Sequence, residues 1–389
     1  MMIRKVAAVT LSIAMLWGGM SSAADKVQAS EPATDEAALL NVMGISAVAS
    51  EQYITRGDFT VLMVQTAGLE HSGLQPDSFQ DVSGEQGEYI EAAAKVGYVN
   101  GAEEGRFYPD SIVSVQDAFT IALRVLGFGE AAGSSMREHM IKTLALDDAM
   151  PIGGQLTCNA ANTLLMNVLE SKYAVPDGTA LKTSEETFLY KKHGIYRTRG
   201  TVRGIRGISL SDYPEIRDSQ ICIDNTVYEN ETDIGYDCLG GTGTVYIKEY
   251  EEYSAVIWFK GTQSDVVTVI GQNIEKASGF DKNDRGTPYI SYQTESNRIK
   301  TKNIDKNSLV YLNRVNTVGI SNDDLMPESG VVMIVDTDHN GTGDLVIVER
   351  YDYYMVDTVD TVSETIYSKD DKPEIQISAF SGGGFKHRL

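Results

Sequence analysis

Three helix starts of one design recur along the first half of the chain. Thr55-Arg56-Gly57-Asp58, Ser114-Val115-Gln116-Asp117 and Thr157-Cys158-Asn159-Ala160 each place Ser or Thr just before an apolar run. The hydroxyl of such a residue accepts a backbone N–H three positions on, and in the first two an acid at that position completes a capping box. An apolar residue precedes each cap, Ile54, Val113 and Leu156, in the position of a hydrophobic staple. A device used three times marks an internal repeat, whose units must bury their apolar faces against one another. Apolar residues three and four apart predict helices over Ala37–Gly44, Phe59–Ala67, Tyr89–Val96, Ala118–Leu126, Met136–Leu144 and Ala160–Leu169.

The middle unit, 79–128, is the fullest. It runs Phe79-Gln80-Asp81-Val82, a helix, Gly97-Tyr98-Val99-Asn100-Gly101, then Gly105-Arg106-Phe107-Tyr108-Pro109-Asp110 and the capped helix. Gly97 suits a left-handed helix stop, and Pro109-Asp110 a turn. The order F-x-D-V, G-x-V-x-G, G-x-F-x-P and a T-R-G-D helix start resembles the S-layer homology (SLH) repeat. The resemblance spans about 37–172 and implies a pseudo-threefold, all-α module that holds exported proteins on bacterial cell walls through a secondary cell wall polysaccharide. Carried over position by position, it implies polysaccharide contacts at Thr55, Arg56, Asp58, Asp81, Gly97 and Gly101. A guanidinium at a helix N-terminus, beside free N–H groups, suits an anionic sugar substituent. The other two units carry Val115-Gln116 and Cys158-Asn159 where this arginine belongs.

The period changes in the second half. Residues 173–196, with Pro176, Asp177 and Gly178, read as a linker. Beyond them come short β-branched and aromatic runs separated by turn clusters, among them Gln220–Ile223, Thr244–Tyr250, Ala255–Lys260, Val266–Ile270, Val331–Val335 and Leu345–Tyr351. These predict one or two small all-β modules, barrel or sandwich, at 197–275 and 276–389, with charged Lys276–Arg285 as the seam. The sequence ends abruptly after the last strand-like run, so the second module is either complete at Leu389 or cut short there. The fold class is therefore multi-domain, α then β.

Met1–Ala24 reads as a secretory signal peptide: Arg4 and Lys5, an uncharged stretch Val6–Trp17, then Ser21-Ser22-Ala23-Ala24. Its apolar run is too short to span a bilayer, and no other stretch is long enough, so no membrane span is expected once it is removed. The 389 residues carry a net charge of −22, which disfavours nucleic acid as a partner. The five histidines lack metal-ligand or HExxH spacing. Cys222 and Cys238 either form a bridge or, with Cys158, are buried thiols.

One loop has the chemistry of a hard cation. In Asp336-Thr337-Asp338-His339-Asn340-Gly341-Thr342-Gly343-Asp344, oxygen ligands fall at positions 1, 3, 5 and 9 with Gly at 6. Position 12 is Ile347, and the flanks read as strands, so the loop resembles calcium-binding hairpin loops of β repeats more than an EF-hand. Either Ca2+ sits among Asp336, Asp338, Asn340, the Thr342 carbonyl and Asp344, or the loop is a solvated turn. No nucleophile elbow, zinc motif or Cys–His pair stands out. The expectation is a non-catalytic protein of the extracellular cell-wall surface whose β modules project outward. The alternatives are a wall-tethered polysaccharide hydrolase or an adhesin.

Overall fold

The computed structural model describes residues 35–102, 105–129, 144, 154–177, 180–210, 216–351, 355–363, 365–369 and 374–376. The expected signal peptide and, except for buried Leu144, the helix expected at 136–144 lie outside these residues. The first half forms α1 (Asp35–Val42), α2 (Arg56–Thr66), α3 (Gly84–Lys95), α4 (Val115–Val125) and α5 (Cys158–Glu170).

The three cap residues do what their sequence positions demand. Thr55, Ser114 and Thr157 accept the N–H groups of Asp58, Asp117 and Ala160 at 3.1, 3.0 and 3.2 Å. The staples before them then close a ring. Ile54 N–H donates to Leu156 O, Leu156 N–H to Val113 O, and Val113 N–H to Ile54 O, at 2.9, 3.1 and 3.1 Å. A second ring lies beside it, in which Arg56, Val115 and Cys158 donate to the carbonyls of Ser111, Gly154 and Gln52. The free N–H groups of three helix starts are thus satisfied cyclically about a pseudo-threefold axis, with Ile54, Val113 and Leu156 buried around it.

The segment expected to be a linker is folded. Lys172–Asp177 (β1) and Ala180–Thr187 (β2) make a hairpin, and Phe188–His193 (α6) follows, capped by Thr187 and stopped by Gly194 at φ +63°. Pro176 lies within β1, opposite Leu181 of β2, rather than in a free connector. Ala174 N–H donates to Leu126 O at 2.8 Å, and Phe188, Leu189 and Ile195 are buried in the helical core.

Two closed five-stranded rings follow. The first uses β3 (Ile195–Ile205), β5 (Gln220–Ile223), β6 (Thr226–Asn230), β7 (Thr242–Glu249) and β8 (Ser254–Gly261), with the short β4 (Ile208–Ser209) on β3. The long β3 pairs with β7 along its first half and with β5 along its second, and β6 lies parallel to β8. The second uses β9 (Asp265–Ile270), β10 (Ile274–Ser278), β11 (Tyr289–Gln293), β12 (Ile299–Leu312), β14 (Gly330–Asp336) and β15 (Thr342–Arg350), with the short β13 (Val315–Asn316) on β12. Strands β9 and β10 are two arms of one strand bent at the 3-10 turn Gly271–Asn273; one arm pairs with β14 and the other with β11. Strand order, the one parallel pair and a 3-10 turn between third and fourth strands (Tyr236–Cys238, Asp323–Leu325) are the same in both rings. The β half is one topology used twice. The expected boundary at 275/276 therefore moves to 262–264, and the charged stretch 279–286 is a loop inside the second barrel. Val356–Asp360 (β16), Thr365–Ser368 (β17) and Ile375–Gln376 (β18) add a small sheet.

The units share cores. Ile195, Tyr246 and Ile257 of the first barrel belong to the helical cluster, and Glu170 of α5 takes Arg197 Nη1 at 2.6 Å and Tyr246 Oη at 2.5 Å. Tyr311, Val335, Leu345 and Ile347 of the second barrel join Val202, Ile221 and Val245 of the first. Alternate residues Val346 and Val348 point to the second barrel's own core, as strand pleating requires. Cys158, Cys222 and Cys238 are free thiols, and burial pushes Cys238 up to about 11.

Candidate functional site

Arg56 opens α2, so its backbone is fixed by the cyclic hydrogen bonds described above. Its Nη2 donates to Asn100 O at 2.8 Å, and its guanidinium carbon sits 4.6 Å from the centroid of the Phe107 ring. Phe107 is fully buried and is held from behind: Asp81 accepts the N–H groups of Phe107 and Tyr108, both at 2.7 Å. Burial pushes the Asp81 carboxyl up, but those two N–H groups, its own N–H and Arg106 together bring the net shift downward. Gly101 admits the Phe79 ring, since a Cβ there would lie 2.6 Å from Phe79 Cε1. Phe79 in turn packs on Phe107 with ring centroids 5.3 Å apart.

The six residues expected at this site divide by task. Arg56 faces the 98–101 loop with most of its donors uncommitted. Among the described residues the one hydrogen bond of its side chain is to Asn100, and its Nε is buried without a partner. Asp81 and Gly101 shape the wall behind it. Thr55 and Asp58 bind each other, Thr55 Oγ1 to Asp58 Oδ2 at 2.8 Å, and Asp58 Oδ1 also takes Gln86 Nε2 at 3.0 Å. Gly97, at φ +77°, ends α3.

A second arginine comes from α4. Arg124 Nη1 donates to Tyr98 O at 3.3 Å, and with the Asn100 amide turned its Nη2 reaches the Asn100 side-chain oxygen at 3.1 Å. Two guanidinium groups thus grip one loop. Burial lowers the Arg56 pKa, Asp117 raises it and Arg124 lowers it again, with a net downward shift. A positive pair of this kind is relieved by an anion. In sequence Arg124 reads only as a basic residue in the last turn of a helix. Asn100 hides as an unmarked position between two glycines.

The equivalent positions of the other two units differ. Val115 is 1% exposed and belongs to the core. Burial, and next Asp58, raise the Cys158 thiol, while Asn159 is tied to Ser50 N–H and Glu51.

The acidic loop lies between β14 and β15 of the second barrel. Ligand atoms of Asp336, Asp338 and Asp344 lie within 4.8 Å of one another. Asp336 is fully buried and pairs with Lys302 Nζ at 2.9 Å. It also accepts the N–H groups of Asn340 and Gly341. Burial pushes its carboxyl up, but Lys302 and these amides pull it further down. Asp338 takes the Asn340 amide, Asp344 takes Thr337 N–H and hydroxyl, and Asn340 Oδ1 accepts Thr342 N–H. The oxygen set suits a calcium ion, and the Lys302 ammonium already pairs with one oxygen of the buried Asp336 carboxylate.

No helix among the described residues is long and apolar enough to cross a membrane. No protein-family model matches the chain, and no curated protein matches it.

Proposed function

We propose that the chain is a non-catalytic cell-wall-binding protein of SLH type, whose helical unit takes an anionic secondary wall polysaccharide at Arg56. The supporting observation is Arg56 itself. It is half-buried, stacked on Phe107, opposed by Arg124 and left with free guanidinium donors, although the backbone N–H groups of its helix start are already bonded to Ser111, Pro109 and Thr55. An anionic sugar substituent would satisfy those donors and offset the repulsion between the two arginines. The two barrels, the first sharing a core with the helical unit and the second with the first, would be carried on the wall surface.

The test is co-sedimentation of the chain lacking residues 1–24 with purified sacculi, before and after wall polysaccharide is stripped from the peptidoglycan. Loss of sedimentation on stripping supports the reading. Equal binding to stripped and native sacculi overturns it.

A further inference from the structure

The first barrel carries a second surface, chemically unlike the Arg56 site. Its β7–β8 turn is closed by Tyr250 N–H donating to Tyr253 O at 2.8 Å, which brings the two rings face to face. Their centroids are 4.6 Å apart and their planes 24° apart. Tyr250 is fixed from two further directions. Its hydroxyl donates to Glu231 Oε2 at 2.8 Å, and Lys248 Nζ lies 4.9 Å from its ring centroid. The braced partner, Tyr253, is 46% exposed. Tyr190, 38% exposed, donates its hydroxyl at 2.8 Å to Oε2 of Glu249, the β7 residue immediately before Tyr250. Among the described residues, the Oε1 atoms of Glu231 and Glu249 accept no hydrogen bond.

We propose that this turn is a glycan platform, with a neutral sugar ring stacked on Tyr253 and a hydroxyl group donated to Glu231, whose other oxygen already holds Tyr250. Three features select that class of ligand. A rigid, exposed aromatic face matches the C–H face of a pyranose, and its order is already imposed by the Tyr250 stack, so little side-chain freedom is lost on binding. Carboxylate oxygens accept strongly from hydroxyl groups. Glu231, Glu249, Glu251 and Glu252 surround the turn, and its one lysine is laid on Tyr250, so an anionic polymer is repelled. The inference does not rest on the wall-binding reading, because it uses a different unit and the opposite charge.

The experiment is titration of the chain lacking residues 1–24 with chitohexaose, cellohexaose and hexalysine, followed by calorimetry. One or both neutral hexasaccharides should bind. Tyr253→Ala should weaken that binding about tenfold, the loss of one stacked ring. Tyr253→Phe, which keeps the ring, should stay within about twofold of the parent by the same reasoning. Glu231→Gln should weaken it while circular dichroism stays unchanged. Arg56→Ala should leave it as it was, which separates this site from sacculus binding. Failure of both hexasaccharides, binding of hexalysine alone, or equal binding by Tyr253→Ala and the parent overturns the proposal.

Discussion

The N–H of Ile54 donates to the carbonyl of Leu156 at 2.9 Å, joining the first and third capped helix starts of the helical unit. That bond is one third of a closed ring, so each capped start is held by the other two.

The ring makes a prediction about stability. Thr55→Ala, Ser114→Ala and Thr157→Ala each remove one cap hydrogen bond and should each cost about 1 kcal/mol in urea denaturation. Leu156→Ala opens a cavity at the axis and should cost roughly 3 kcal/mol. A cap series in which one variant costs nothing would mean that the three starts are not equivalent.

His193 joins α6 to the end of α2, its Nε2 donating to Thr66 O at 2.9 Å. Burial lowers its pKa below the ordinary 6.5, and Lys248 and Lys192 add to the effect. The unfolded chain then binds the proton more readily than the folded one. His193 therefore contributes fully above its ordinary pKa, and stability falls as the pH drops from there toward the folded value. His193→Gln keeps a donor for Thr66 without titrating. Melting temperatures measured from pH 7 to pH 5 should fall more steeply for the parent than for this variant; parallel curves would refute it.

The Lys302–Asp336 pair makes a prediction about calcium. The parent should show no melting shift between chelator and millimolar Ca2+, because the buried carboxylate already has its cation. Lys302→Met leaves that carboxylate unpaired and should cost roughly 3–5 kcal/mol. Calcium should then restore part of the loss, by binding only the folded loop. A calcium-induced rise in the parent would show that the ion displaces Lys302.

These tests bear on parts of the chain that were unequally legible. Caps and staples are local, and Thr55, Ser114 and Thr157 announce their helices in four residues. The barrels are not local. The expected seam at 276–285 follows composition, while pairing of Val266–Ile270 with β14 some sixty residues on decides the boundary. The 173–196 segment read as a linker because of its polar residues and Pro176-Asp177-Gly178, while the residues that dock on the helical core, Tyr173, Ala174, Leu181, Phe188, Leu189 and Ile195, follow no single period. Arg56 was legible by its helix start. Arg124 was not, since only the fold brings α4 to the loop at Tyr98–Asn100.

The last prediction concerns that pair of arginines. Arg56→Ala removes a half-buried, charge-assisted donor and should weaken sacculus binding by about 1.5–3 kcal/mol. Arg56→Lys keeps the charge but loses the planar fork and the stack on Phe107, so it should recover only part of the affinity. Arg124→Ala removes the second charge and should leave a weaker, less salt-sensitive complex. Val115 and Cys158 fill the corresponding places in the other units, so a soluble wall-polysaccharide fragment should titrate with one site per chain. Three sites, or an Arg56→Lys variant that binds like the parent, would show that the contact is either repeated around the ring or a matter of charge alone.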